Sequence, residues 1–211
     1  MKPIIIFLLL LSASNLLYAQ HLPDSIAVFK LKAPETFKAN FHTTQGDFII
    51  EVYREWSPLA ADRLYQLLKT GYYNNNIAFR ATPKYVQFGI TDFKSLNFFW
   101  DRHNIADEPV LQSNLDSTIS FTTGGANNRS AQIFINMQNN QRLDTIGFKG
   151  VTGFPPVGKV ISGMDALRKF NTQYGDDIAY HHQDSVYKKG NAYLIKNFPG
   201  LDMIIHASIT E

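Results

Sequence analysis

A loop rich in glycine and asparagine, Thr122-Thr123-Gly124-Gly125-Ala126-Asn127-Asn128-Arg129, runs straight into the segment Ser130-Ala131-Gln132-Ile133-Phe134-Ile135-Asn136. The second part predicts a strand. Side chains along a strand alternate with period 2, so Gln132 and Phe134 share one face. An amide and an aromatic ring side by side on a sheet face suit a peptide ligand. The ring accepts an apolar side chain, and the amide can bond both a backbone N–H and a C=O. The same pair also suits a core phenylalanine beside a glutamine on a barrel rim, and at this point both readings stand.

The rest of the composition narrows the field. A chain of 211 residues with 45% hydrophobic and 18% charged residues can bury a full core and is not a disordered segment. Lys and Arg number 20 against 18 Asp and Glu, so no basic surplus asks for nucleic acid or an acidic membrane. At the N-terminus, Lys2 precedes the apolar run from Ile4 to Leu11, followed by small and polar residues and then Leu17-Tyr18-Ala19-Gln20. This pattern predicts a secretory signal peptide over 1–19, cleaved after Ala19. The run is too short to span a bilayer. No cysteine is present, which excludes disulfides, thiol chemistry and a lipid on a signal-peptide cysteine. Together these features lead us to expect a periplasmic or secreted protein.

After the signal peptide, residues 20–38 form a polar lead-in with Pro23 and Pro34, expected to be an extended arm. A hairpin follows: Phe41 to Thr44 and Phe48 to Val52 flank Gln45-Gly46-Asp47, and Phe48, Ile50 and Val52 point to one buried face. Ser57-Pro58 opens a helix as N-cap and first residue, Leu64, Leu67 and Leu68 form its apolar stripe, and Gly71 stops it. Strand character returns from Ile77 to Ile90 around Pro83, at Ile119 to Thr122, and at Gly158 to Ile161, while Trp100 to Asn114 reads as loop. Ser162 is expected to cap a short helix bearing Met164, Leu167 and Phe170, and beyond Tyr174 the chain reads as irregular until Gly190. Many short strands with turn residues between them and two helices predict a mainly β antiparallel barrel or sandwich.

Several ordered segments resemble one family. They are Phe41-His42-Thr43-Thr44-Gln45-Gly46-Asp47, Gly71-Tyr72-Tyr73, Phe79-Arg80 with Pro83, and Gln87-Phe88-Gly89. Further on come Ser130 to Ile135, Leu143-Asp144, and Gly158-Lys159-Val160 with Gly163-Met164-Asp165. Each is weak alone; in this order and spacing they resemble a cyclophilin, a peptidyl-prolyl cis/trans isomerase. The tail, Gly190 to Leu194 with Phe198-Pro199-Gly200-Leu201-Asp202, is similar to the C-terminal extension of exported bacterial members. The resemblance implies a closed eight-stranded antiparallel β-barrel capped by two helices. It sets expected boundaries of 39–174 for the domain and 175–211 for an extension packed on it.

The resemblance also implies a chemistry. Rotation about a peptide bond faces a barrier of roughly 18–20 kcal/mol, and the X–Pro bond isomerises unaided in tens to hundreds of seconds. As the amide loses conjugation, the prolyl nitrogen gains a lone pair that a donor can stabilise. Arg80 matches the family's catalytic arginine, with a permanently charged five-donor fork. Gln132 matches the glutamine that holds the substrate backbone, Phe134 the floor of the proline pocket, and Leu143 a wall. Thr122 and Thr123 fall where the family pairs its backbone with the peptide. No metal or cofactor is implied, and the partners implied are proline-containing peptides or unfolded segments, met by a monomer.

Three departures from the family pattern bear on these assignments. The stretch from Arg80 to Gln87 is one residue short. Counting from Pro83 makes Tyr85 and Val86 the pocket pair, whereas anchoring on Gln87 makes the pair Lys84 and Tyr85; a one-residue slip flips side chains between faces. Arg142 stands where many members carry a drug-contacting tryptophan, which implies weak cyclosporin binding. Extra residues lie between Asp144 and Gly158, where Gly147-Phe148 is echoed by Gly153-Phe154. Counting back from Gly158 puts Phe154 at the family's pocket histidine and counting forward puts Gly147 there; a ring is the better proline neighbour, which favours Phe154.

Other signals carry less. His181-His182 lacks the carboxylate or cysteine spacing of a metal site and reads as a solvated loop. Ser130 near His42 or His103 would suggest a hydrolase, but no Gly-x-Ser-x-Gly elbow accompanies it. Gly124-Gly125 is too short for a nucleotide-binding loop. The main expectation is therefore an exported prolyl isomerase that assists folding. Its competitor is a non-catalytic module holding proline-containing segments in the same groove.

Overall fold

The computed structural model describes residues 27–210. The expected signal peptide and the first part of the arm, residues 20–26, lie outside the described residues. Strand β1 (Thr36–Thr43) pairs antiparallel with β2 (Gly46–Tyr53), from Thr36↔Tyr53 to Thr43↔Gly46. This is the expected hairpin, closed by Thr44 and Gln45; Gly46 takes φ 118°, a left-handed value that glycine adopts at little cost. Phe48, Ile50 and Val52 point inward from β2, as its alternation predicts, and Phe37, Ala39 and Phe41 do so from β1.

Helix α1 (Pro58–Lys69) places Leu64, Leu67 and Leu68 against the sheet. Ser57 does precede it, but its side chain makes no capping bond. The Glu108 carboxylate takes over, accepting from the N–H groups of Leu59 at 2.7 Å and Ala60 at 3.1 Å, while the Ser57 hydroxyl donates to it. A full negative charge at a helix N-terminus is a stronger acceptor there than a neutral hydroxyl.

Next come β3 (Asn76–Ile77), β4 (Arg80–Ala81), β5 (Tyr85–Phe88), helix α2 (Lys94–Asp101), β6 (Thr118–Phe121) and β7 (Ile133–Asn136). A small hairpin of β8 (Gly147–Phe148) and β9 (Val151–Thr152) precedes β10 (Pro156–Ser162) and α3 (Met164–Leu167). Helices α4 (Gln183–Lys189) and α5 (Asn191–Asn197) lead to the last strand, β11 (Met203–Thr210). Among the described residues the main sheet has nine strands, in the order β3-β11-β1-β2-β10-β6-β7-β5-β4. Its two edge strands, β3 and β4, are separated only by Ala78 and Phe79, so the antiparallel sheet curls until its ends meet in sequence. The interior of that curl is one apolar core with Phe41, Phe48, Phe88, Trp100 and Phe121 fully buried.

This is the mainly β architecture expected, with differences in detail. The sheet begins at Thr36, inside the stretch expected to be an arm, and it takes β11, the end of the expected extension, between β3 and β1. A buried strand slot needs a partner on both sides, and residues 203–210 supply it. Lys94–Asp101 is helical where loop was expected to begin at Trp100. The N-cap of α3 is Gly163, at φ 86°, rather than Ser162. The region after Tyr174 is not irregular: a π-helical turn, Ile178–His182, leads into α4 and α5. Ile178, Val186, Leu194 and Phe198 bury against Ile77, Phe79 and Ile90 in a second core.

Candidate active groove

The sheet register decides which side chains meet. Arg80 on β4 lies opposite Gln87 on β5, and Gln87 lies opposite Phe134 on β7. Tyr85, Gln87, Gln132 and Phe134 therefore come to one face and line a groove of about 740 Å³. The hairpin between β4 and β5 is tight: the N–H of Thr82 donates to the Tyr85 carbonyl at 2.8 Å, and the N–H of Tyr85 to the Thr82 hydroxyl at 3.0 Å. That tight turn absorbs the missing residue. Val86 is corrected by this register: it points to the opposite face and is 1% exposed in the main core, because its neighbours Tyr85 and Gln87 face the groove. Lys84, from the other alignment, is exposed and does not line the groove. Gly89, at φ 119°, lets the chain leaving β5 pass close to Gln132; a Cβ there would lie 2.5 Å from the Gln132 Cα.

One part of the groove is apolar. Tyr85, Phe134 and Leu143 form a separate buried cluster, with Ile146 and Phe154 packed on it. The Phe134 ring meets Tyr85 edge-on at 5.6 Å and Phe154 at 5.8 Å between centroids. Phe154 reaches this place because the β8–β9 hairpin loops out the extra residues, and its N–H then donates to the Leu143 carbonyl at 2.9 Å. The Phe154 carbonyl accepts from Asn114 Nδ2 at 2.9 Å. Asn114 is held in turn by Asp144, which also accepts from the Ser113 hydroxyl. Burial alone would raise the Asp144 carboxyl, but the bonds from Ser113 and Asn114 outweigh it and hold the carboxyl below the ordinary range. Gly147, the alternative to Phe154, sits on the exposed β8.

The other part is polar. Arg80 donates from Nε to Asp176 Oδ1 at 2.6 Å and from Nη1 to Gln87 Oε1 at 3.0 Å. Its guanidinium carbon lies 4.9 Å from the Tyr85 ring centroid, so cation and apolar recess adjoin. Gln132 Oε1 accepts from Gln87 Nε2 at 2.9 Å, and Gln132 Nε2 donates to the Tyr187 hydroxyl at 2.9 Å. Arg142 lines the groove and donates from Nη2 to the Tyr85 hydroxyl at 3.0 Å. Thr122 and Thr123 also line it, but the Thr122 N–H is committed to the Gln132 carbonyl at 3.0 Å, and the Thr123 hydroxyl closes on the Gly125 carbonyl.

Among the groove residues that were not anticipated are Asp101, Tyr180, Gln183 and Tyr187. Asp101 accepts from the Ser130 hydroxyl at 2.7 Å, and burial raises its carboxyl despite the bonds from Ser130 and Tyr187. Burial and the neighbouring Asp101 likewise push the Tyr187 phenol up. Ser130 thus donates to a carboxylate and not to an imidazole, unlike a hydrolase nucleophile. The spacing of Tyr180, Gln183 and Tyr187, three and four residues apart, was the available signal for a single helical face. His181 and His182 lie in the helical turn, not a loop, with His182 Nδ1 2.8 Å from the Tyr193 hydroxyl.

Residues 38–190 match the family model for cyclophilin type peptidyl-prolyl cis-trans isomerase/CLD. The chain belongs to that family. It is 30% identical over 135 residues to peptidyl-prolyl cis-trans isomerase-like 3 of Rhizopus delemar, covering 59% of this chain and 75% of that protein. To peptidyl-prolyl cis-trans isomerase 9 of Schizosaccharomyces pombe it is 29% identical over 133 residues, 59% of this chain but only 22% of that protein. Among solved structures it resembles a Cryptosporidium parvum cyclophilin type peptidyl-prolyl cis-trans isomerase determined in the presence of the dipeptide Ala-Pro. That likeness has a TM-score of 0.58 at 17% identity and covers 82% of this chain and 99% of the other, a match of fold.

Proposed function

We propose that this chain is an active peptidyl-prolyl cis/trans isomerase, and that it assists the folding of exported proteins as a monomer. One observation carries the reading. The Arg80 guanidinium adjoins, through the Tyr85 ring, a recess of Tyr85, Phe134, Leu143 and Phe154. An X–Pro segment whose pyrrolidine enters that recess brings its amide within reach of the cation. As the amide twists, the arginine N–H groups hold the carbonyl oxygen and stabilise the prolyl nitrogen's lone pair, a charge distribution that develops only in the transition state. Gln132 has one N–H left to hold the peptide backbone, since its carbonyl oxygen already accepts from Gln87. The proposed export rests on the signal-peptide pattern of residues 1–19.

The test is the cis-to-trans relaxation of a short X-Pro peptide. Wild type should accelerate it, and Arg80→Ala should lose on the order of 100-fold in kcat/KM, as expected for removing a principal charge-stabilising donor. Equal rates for the two proteins would remove the mechanism. A second reading, a binding module without catalysis, draws on the internal partners that Arg80 and Gln132 already have. Peptide binding with no acceleration by wild type would select it.

A further inference from the structure

The segment leading into α4 closes the polar end of the groove, and it is fixed there. Ala81 and Gly175 form an isolated β-bridge, and Ile178 and Val186 are buried in the second core. From this anchored backbone, Asp176 accepts from Arg80 Nε at 2.6 Å, and the Tyr180 hydroxyl lies 3.4 Å from Nη2. The Tyr180 ring centroid is 5.4 Å from the guanidinium carbon and the Tyr85 centroid 4.9 Å, so the cation is flanked by two rings. A guanidinium has five N–H donors. Asp176, Tyr180 and Gln87 engage one each, leaving one hydrogen on each terminal nitrogen for a substrate.

We propose that Asp176 and Tyr180 are positioning residues for Arg80, fixing the plane of its guanidinium so that the two remaining N–H groups face the X–Pro amide. This rests on the isomerase reading above. Two effects of Asp176 oppose one another: its charge dampens the cation's field, and its geometry holds the fork still. The Asp176 side chain is 50% exposed against 16% for Arg80, so water screens the first effect. The second survives screening, because a side chain with four rotatable bonds loses reach when it is free to swing.

The experiment compares wild type with Asp176→Ala and Asp176→Asn, after melting curves show all three folded. It reads turnover of an X-Pro peptide, the Kd of that peptide by NMR titration, and the Arg80 Nε–Hε resonance. Asp176→Ala should lose about tenfold in kcat with Kd changed less than twofold, and its Nε–Hε signal should vanish by exchange with water. Asp176→Asn keeps an acceptor and should recover most of the rate and the protected signal, because orientation and not charge is at stake. Tyr180→Phe, which keeps the ring, should lose less than Asp176→Ala. Turnover equal to or above wild type in Asp176→Ala would overturn the proposal and mark the contact as a brake. An unprotected Nε–Hε in wild type would also overturn it. Should wild type prove inactive, the isomerase reading fails by itself, and the Nε–Hε comparison still decides whether Asp176 fixes Arg80.

Discussion

The two ends of the groove are built in different ways. The apolar end is assembled by sheet register and one hairpin: Tyr85 and Phe134 arrive on adjacent strands, and Leu143 and Phe154 come from the connection to β10. The polar end has strand residues too, Arg80 and Gln87, but it is finished by a helical segment, with Asp176 lying 96 residues from the arginine it engages. The apolar end has shape and little charge, so it should govern how tightly a proline ring is held. The polar end has donors, Arg80 foremost, so it should govern how fast the bond turns. One continuous groove is thereby expected to separate affinity from rate.

The largest expected effect is the loss on the order of 100-fold in kcat/KM for Arg80→Ala, carried by kcat. The tenfold loss in Asp176→Ala is the next step down and belongs to the same end. At the apolar end, Phe134→Ala should raise KM about tenfold, equivalent to about 1.4 kcal/mol of lost contact with the proline ring, while kcat at saturation changes little. Isothermal titration with a proline peptide checks the affinity side of that split.

Val86 gives a control between the two ends. Because it faces the core, Val86→Ala should cost about 2 kcal/mol of stability, or a fall of several degrees in Tm, and leave peptide affinity unchanged. A loss of affinity without loss of stability would put Val86 back in the groove and break the register.

The smallest effect concerns the support behind Phe154. The Asp144 carboxyl is depressed in the folded chain, so its contribution to stability is present above the ordinary aspartate value of about 3.9 and is lost as pH falls through the lower folded value. The gap in Tm between wild type and Asp144→Asn should be widest near pH 7 and should narrow as pH drops below about 4. Thermal melts across that range check it.

Much of this was legible in the sequence for physical reasons. Alternation of Phe48, Ile50 and Val52 fixed a buried face of β2, and the pairing of Gln132 with Phe134 followed from period 2 alone. The register of Tyr85, Val86 and Gln87 was not legible, because two alignments differing by one residue are both sterically sound until the Thr82–Tyr85 turn is known. The helical closure was hidden for another reason. Its apolar residues, Ile178 and Val186, are joined through a π-helical turn that breaks the regular helical period, so the segment between Tyr174 and Gly190 read as irregular. Ser57 is the N-cap of α1 as expected, but the acceptor for the first N–H groups was hidden, because Glu108 lies about fifty residues downstream of Ser57.

The central claim is that the guanidinium of Arg80 acts on the rotating amide while the ringed recess holds the proline. Exchange NMR on one X-Pro peptide, with kcat and Kd determined separately for wild type, Arg80→Ala and Phe134→Ala, tests it most directly. The account predicts that Arg80→Ala binds within threefold of wild type yet turns over about a hundred times more slowly, and that Phe134→Ala binds weakly yet turns over at a near-normal rate once saturated. Loss of affinity with preserved turnover in Arg80→Ala would contradict it.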